Sequence, residues 1–130
     1  MLGSAKVVAT LPVVDLARAR RFYEGKLGLR LLQANTSVPQ FQDAMYEAGG
    51  GTRIYLYQRT PTKADHTVVA FEVKNIEQIV KDMKSKGVVF EEYDMPGLKT
   101  INGIAIVPNG KSAWFKDTEG NILAVTQMGK

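Results

Sequence analysis

Apolar and β-branched residues crowd the stretch AKVVATLPVV at 5–14, which predicts a strand with Pro12 near its end. Asp15 then offers an N-cap, and Leu16, Ala19, Phe22, Tyr23 and Leu27 fall on one helical stripe that Gly28 stops. Three further β-like runs follow, at 29–34 (LRLLQA), 41–48 (FQDAMYEA) and 52–58 (TRIYLYQ), separated by NTSVP and by Gly49-Gly50-Gly51. The order is strand, helix, three strands: βαβββ.

The pattern then starts again. His66–Lys74 (HTVVAFEVK) predicts a strand, Asn75 a cap, and Ile76, Ile79, Val80 and Met83 a helix before Gly87. VVFEEY, INGIAIVP, KSAWFK and NILAVTQ supply further β-like stretches, with Asn109-Gly110 read as a hairpin signal and Thr118-Glu119-Gly120-Asn121 as another turn. Val13-Val14-Asp15-Leu16 and Val73-Lys74-Asn75-Ile76 stand 60 positions apart, so the chain reads as two copies of βαβββ. The expected fold is α+β, one domain over 1–130, with module one at about 5–58 and module two at about 66–127. The polar segment Thr60–Asp65 is too short to separate domains. Two curved mixed sheets side by side, with helices outside, would enclose a cavity suited to a ligand.

Composition removes many chemistries. The 130 residues include no cysteine and one histidine, His66. A thiol nucleophile, a disulfide, an iron–sulfur cluster and a thiolate zinc site are therefore impossible, and a two-histidine metal site cannot be built within one chain. No Gly-x-Ser-x-Gly elbow presents a serine to His66. Lys and Arg exceed Asp and Glu by 17 to 13, a net charge of +4. Arg18, Arg20, Arg21, Lys81, Lys84 and Lys86 lie on the two predicted helices as solvated faces, without a nucleic-acid-binding signature, so no nucleic-acid partner is expected. No segment approaches the ~20 apolar residues of a spanning helix, and the N-terminus lacks a signal-peptide pattern. No membrane partner and a cytoplasmic location are expected.

Two segments, DLARARRFYEGKLGLRLL at 15–32 and AWFKDTEGNILAV at 113–125, resemble the vicinal oxygen chelate superfamily, which includes glyoxalase I, extradiol dioxygenases and bleomycin resistance proteins. The resemblance implies the glyoxalase-like fold and a homodimer. Enzymes of that family commonly hold a divalent metal on the first and last strands of each module. The matching positions here are Val8, Tyr55, Val68 and Ala124. Only Tyr55, as a phenolate, could donate to a metal. The resemblance thus points to the metal-independent, bleomycin-resistance-like branch, with no cofactor and a small organic ligand.

Strand alternation assigns faces once Val8 and Val68 point inward. Thr10, His66, Ala70 and Glu72 share that face, as do Tyr55, Tyr57, Ala124 and Thr126, with Trp114 a further member. Thr10, Tyr55, Tyr57, Ala70, Trp114 and Thr126 are the candidate ligand contacts, an apolar and aromatic surface suited to a planar organic molecule. The alternative is a glyoxalase-type lyase, isomerase or epimerase, using a noncanonical metal or a metal-free base at Glu72 or His66. The turn Met95-Pro96-Gly97-Leu98 is an ordinary connection, or a lid whose Met95 and Leu98 touch ligand.

Overall fold

In the computed structural model, which describes residues 2–63, 65–108 and 110–129, strand β1 spans Val8–Val13 and alternates faces as the sequence requires. Leu11 and Val13 are buried, whereas Val8 and Thr10 face the other way and stay exposed. Asp15 accepts a hydrogen bond from the Arg18 amide at 3.0 Å and starts helix α1, Leu16–Arg20. The helix then widens over Arg21–Lys26, where the Leu27 amide reaches back five residues to the Phe22 carbonyl at 3.0 Å. Gly25, a weak helix former, lies in this wide turn, and the neighbours Phe22 and Tyr23 are both buried on it. Gly28, at φ +70°, ends the helix.

Strands β2 (Arg30–Val38), β3 (Phe41–Glu47) and β4 (Arg53–Gln58) complete the first unit, residues 1–63. Their sheet runs β1-β4-β3-β2, with β1 and β4 parallel and the other pairs antiparallel. This is the expected βαβββ order. One boundary moves: NTSVP, expected as a separator, belongs largely to β2, because the strand stays paired with β3 until Val38 meets Phe41.

A polar cluster caps the core of this unit at its half-buried edge. The buried Tyr46 hydroxyl donates to Glu24 Oε2 at 2.7 Å, and Arg20 Nε donates to the same oxygen at 2.8 Å. Burial pushes the Glu24 carboxyl up, but the hydrogen bonds from Arg20 and Tyr46 outweigh it and hold the group below its ordinary value of 4.5. A carboxylate whose folded pKa is depressed adds stability above its unfolded pKa and loses it as pH falls through the folded one. Tyr46→Phe removes one donor, and the expected cost at pH 7 is about 1.5–3 kcal/mol, the worth of a hydrogen bond to a charged group. Urea titrations at pH 7 and pH 3 check this, with the deficit shrinking at the lower pH.

The second unit, residues 64–130, repeats the entry. Strand β5 (Thr67–Glu72) leads to Asn75, which accepts from the Gln78 amide at 3.2 Å and caps α2, Ile76–Ser85. A second device recurs in both units. The Leu16 amide donates to Gln58 Oε1 at 2.9 Å, and the Ile76 amide to Gln127 Oε1 at 2.9 Å. Each helix start is thus tied to the strand that pairs in parallel with the unit's first strand. The sixty-residue echo in the sequence is a structural repeat.

Beyond α2 the second unit departs from βαβββ. Its remaining strands are β6 (Asp94–Met95), β7 (Leu98–Ile101), β8 (Ile104–Val107), β9 (Gly110–Lys116) and β10 (Ile122–Met128), and the sheet runs β5-β10-β9-β8-β7-β6. VVFEEY, expected as a strand, makes only a bridge from Phe90 to Phe115. INGIAIVP, expected as one stretch, is broken by Asn102 and Gly103, which sit at φ 54° and 85° and turn Ile101 back onto Ile104. Two consecutive positive φ values make the tight turn that Asn-Gly favours. The predicted signal Asn109-Gly110 lies half outside the described residues, and Gly110 opens β9 opposite Val107. His66, expected inside β5, precedes it.

The Asp-x-x-Gly-Asn turn between β9 and β10 closes on itself. Asp117 Oδ1 accepts from the Glu119 and Asn121 amides, each at 2.8 Å, and Oδ2 from Asn121 Nδ2 at 2.8 Å. Both Asp117 and Asn121 are buried, so this motif serves the fold. Among the described residues no helix is long and apolar enough to cross a membrane.

Candidate functional site

The face of the first sheet that carries Thr10 has the unit's aromatic surface. Thr10 lies opposite Tyr55 across β1 and β4, and Tyr57 lies opposite Asp43 across β4 and β3. Period-two alternation puts all four on one side, while Ile54 and Leu56 point into the core. The Tyr55 and Tyr57 rings run nearly parallel, at 14°, with centroids 6.3 Å apart. They border a pocket of about 470 Å³ lined also by Gln40, Phe41, Gln42, Asp43 and Gln58. Phe41, 74% exposed, forms an apolar rim.

Asp43 is the polar centre of this pocket. Its Oδ2 accepts from the Tyr55 hydroxyl at 2.6 Å and its Oδ1 from Asn35 Nδ2 at 2.8 Å. The hydrogen bond to Asp43, then burial, raises the Tyr55 pKa, so the phenol keeps its proton at neutral pH. A carboxylate has about four acceptor sites, so each Asp43 oxygen retains capacity for a further donor. The arrangement can stack a flat ring on the tyrosines and accept a hydrogen bond from an N–H group at its edge.

The structure brings Thr10, Tyr55 and Tyr57 to one face, as alternation groups them, and sets Asp43 and Phe41 beside them, which alternation does not. The available signal was an aspartate inside the β-like run FQDAMYEA, a residue that strands disfavour.

In the second unit Ala124 lies opposite both Ala70 and Trp114, and Thr126 opposite both Glu72 and Ser112, so the predicted residues of β5, β9 and β10 share one face. The Ser112 and Thr126 hydroxyls are 3.1 Å apart. Trp114 packs edge-on to Tyr93 at 5.7 Å. His66 lies off this ladder, 3.1 Å from Asp65, with its side chain 73% exposed. It flanks the start of β5 and Glu72 ends the strand, so the two are about 20 Å apart along an extended chain.

The four family metal positions do not fit a divalent ion. Val8, Val68 and Ala124 have no lone pair, and the Tyr55 hydroxyl is committed to Asp43 as a donor. Val68 is the extra residue of a bulge, since Thr67 pairs with Ile122 and Val69 with Leu123. Among the described residues no three His, Cys, Asp or Glu side chains are grouped to hold a metal.

Two α+β units, each with a parallel outer pair of strands at one edge of its sheet, share one architecture. The model of the Glyoxalase/Bleomycin resistance protein/Dioxygenase superfamily matches residues 6–125, and the chain belongs to that superfamily. The fold is glyoxalase-like, as expected.

Solved structures agree on the fold. TnmS3, an antibiotic binding protein from a Streptomyces species, superposes with a TM-score of 0.74 at 20% identity, covering 99% of each chain. A glyoxalase/bleomycin resistance protein from a Streptomyces species gives 0.67 at 20% identity, covering 95% of this chain and 100% of its own. The fosfomycin resistance protein FosX from Listeria monocytogenes, complexed with Mn(II) and a dihydroxypropylphosphonic acid, gives 0.68 at 16%, covering 100% and 93%. No curated protein matches by sequence.

Proposed function

We propose that the chain binds a planar, partly aromatic organic molecule without a metal ion, on the pocket formed by Thr10, Asp43, Tyr55 and Tyr57. The carrying observation is the Tyr55–Asp43 pair: a neutral phenol and a carboxylate beside two near-parallel rings. Such a pocket recognises a flat ring that bears a cationic or N–H edge. The antibiotic-binding description of one structural neighbour supports this reading, as does the lack of lone pairs at three of the four family metal positions.

Asp43→Asn tests the polar half of the proposal, because it keeps the side chain's shape and removes its charge. Calorimetric titrations with 9-aminoacridine and with acridine-9-carboxylate are the comparison. The aminoacridine is expected to bind about tenfold or more tightly than the carboxylate, the worth of one charge-assisted hydrogen bond, and Asp43→Asn to erase most of that preference. Equal affinities in the unsubstituted chain would contradict it.

A further inference from the structure

We propose a second ligand site, for a monomeric anionic amphiphile such as a medium-chain carboxylate, in the groove between α2 and the β7–β8 hairpin. The groove has a volume of about 850 Å³ and lies wholly within the second unit. That volume is in the range of small-molecule sites, roughly 300–1,000 Å³. It shares no residue with the Tyr55–Tyr57 pocket.

Its floor is apolar. Leu98 and Ile101 of β7 and Ile104 and Ile106 of β8 line it, facing Val80 of α2. Val80 is buried, but Ile101 is 68% and Ile106 85% exposed. The tight Asn102-Gly103 turn folds the two short strands into a ribbon, and Lys84 of α2 reaches the turn's Asn102 carbonyl. Water-facing apolar surface of this kind gains about 25 cal/mol for each Å² that a ligand covers.

Its rim is basic. Lys81 and Lys84 project from α2, Lys99 from β7 and Lys111 from β9, against one acidic lining residue, Glu77. Glu77 is already held by Lys111 at 2.7 Å, and Lys84 Nζ donates to the Asn102 carbonyl at 3.2 Å. Among the described residues Lys81 and Lys99 make no ion pair, although Asp94 lies opposite Lys99 across β6 and β7, so the four lysines of the lining outnumber Glu77 and Asp94 around an apolar trough. An acyl chain in the trough with a carboxylate between these lysines satisfies both features. A neutral or cationic amphiphile satisfies only the first.

The test compares decanoate, decanol and decyltrimethylammonium, each below its micelle concentration, followed by amide NMR shifts and calorimetry on the full chain. Decanoate is expected to bind about tenfold tighter than decanol, the sum that two flanking lysines supply, and the cation more weakly still. Shifts should centre on Ile101, Ile104 and Ile106. Lys81→Glu with Lys99→Glu should erase the preference for decanoate. Ile106→Ser, at an exposed position, should weaken decanoate and decanol alike. Equal affinity for decanoate and decanol, or a preference that survives the double lysine change, would overturn the proposal. Capture by anionic vesicles without binding of monomeric decanoate would also overturn it, as would self-association that buries the groove.

Discussion

The double variant Tyr55→Ala, Tyr57→Ala is expected to bind 9-aminoacridine at least about 100-fold more weakly than the unsubstituted chain. Each ring offers a flat ligand its apolar area and about 0.5–1.5 kcal/mol of aromatic geometry beyond that. Losing two such surfaces removes roughly 3–4 kcal/mol, and 1.4 kcal/mol is tenfold. The loss also releases Asp43, whose Oδ2 loses the Tyr55 donor. Both tyrosines are only half-buried and alternate with the core residues Ile54 and Leu56, so the sheet persists without them. Circular dichroism separates the two effects: an unchanged spectrum with lost binding is the expected pair of results, and a retained affinity would move the ligand elsewhere.

Phe115→Ala is expected to destabilise the second unit by about 3–5 kcal/mol, as truncation of a fully buried aromatic does. Phe115 is 0% exposed, lies opposite Leu123 on β10, and meets Phe90 edge-to-face at 5.6 Å. That contact also anchors the segment 88–93, which has no ladder except the bridge at Phe90. Small domains hold only about 5–15 kcal/mol in total, so the change is a large fraction of it. The single tryptophan, Trp114, sits one residue away and reports the transition by fluorescence in urea. A midpoint unchanged from the parent would show that this ring is not a core anchor.

What could be read from the chain depended on range. Asp15 and Asn75 were legible as helix starts because capping acts over three residues, and both accept the bonds expected of them. Gln58 and Gln127, which hold the first helical amides from 42 and 51 residues away, carry no local signature. The misreadings have the same root. VVFEEY has strand composition, but a strand needs a continuous partner, and the segment makes only the bridge at Phe90 and scattered backbone bonds from Glu91 to Trp114 and from Thr100 to Tyr93. At Asn102-Gly103 the local signal was present and strong, and the β-branched residues around it masked it.

The site followed the same rule. Alternation within β4 and β1 was enough to place Thr10, Tyr55 and Tyr57 on one face. Asp43 joins them through the antiparallel register that sets it opposite Tyr57, a fact of pairing that no single strand encodes.

We propose, then, that this member of the superfamily binds a planar organic ligand in the Tyr55–Tyr57 pocket and needs no metal. The most direct measurement is calorimetric titration of chelator-treated protein with 9-aminoacridine, repeated after addition of Mn(II), with tyrosine ring shifts followed by NMR. One-to-one binding at equal affinity in both states, with shifts at Tyr55 and Tyr57, is the predicted result. Binding that appears only with Mn(II), or that leaves both tyrosines unshifted, would contradict it.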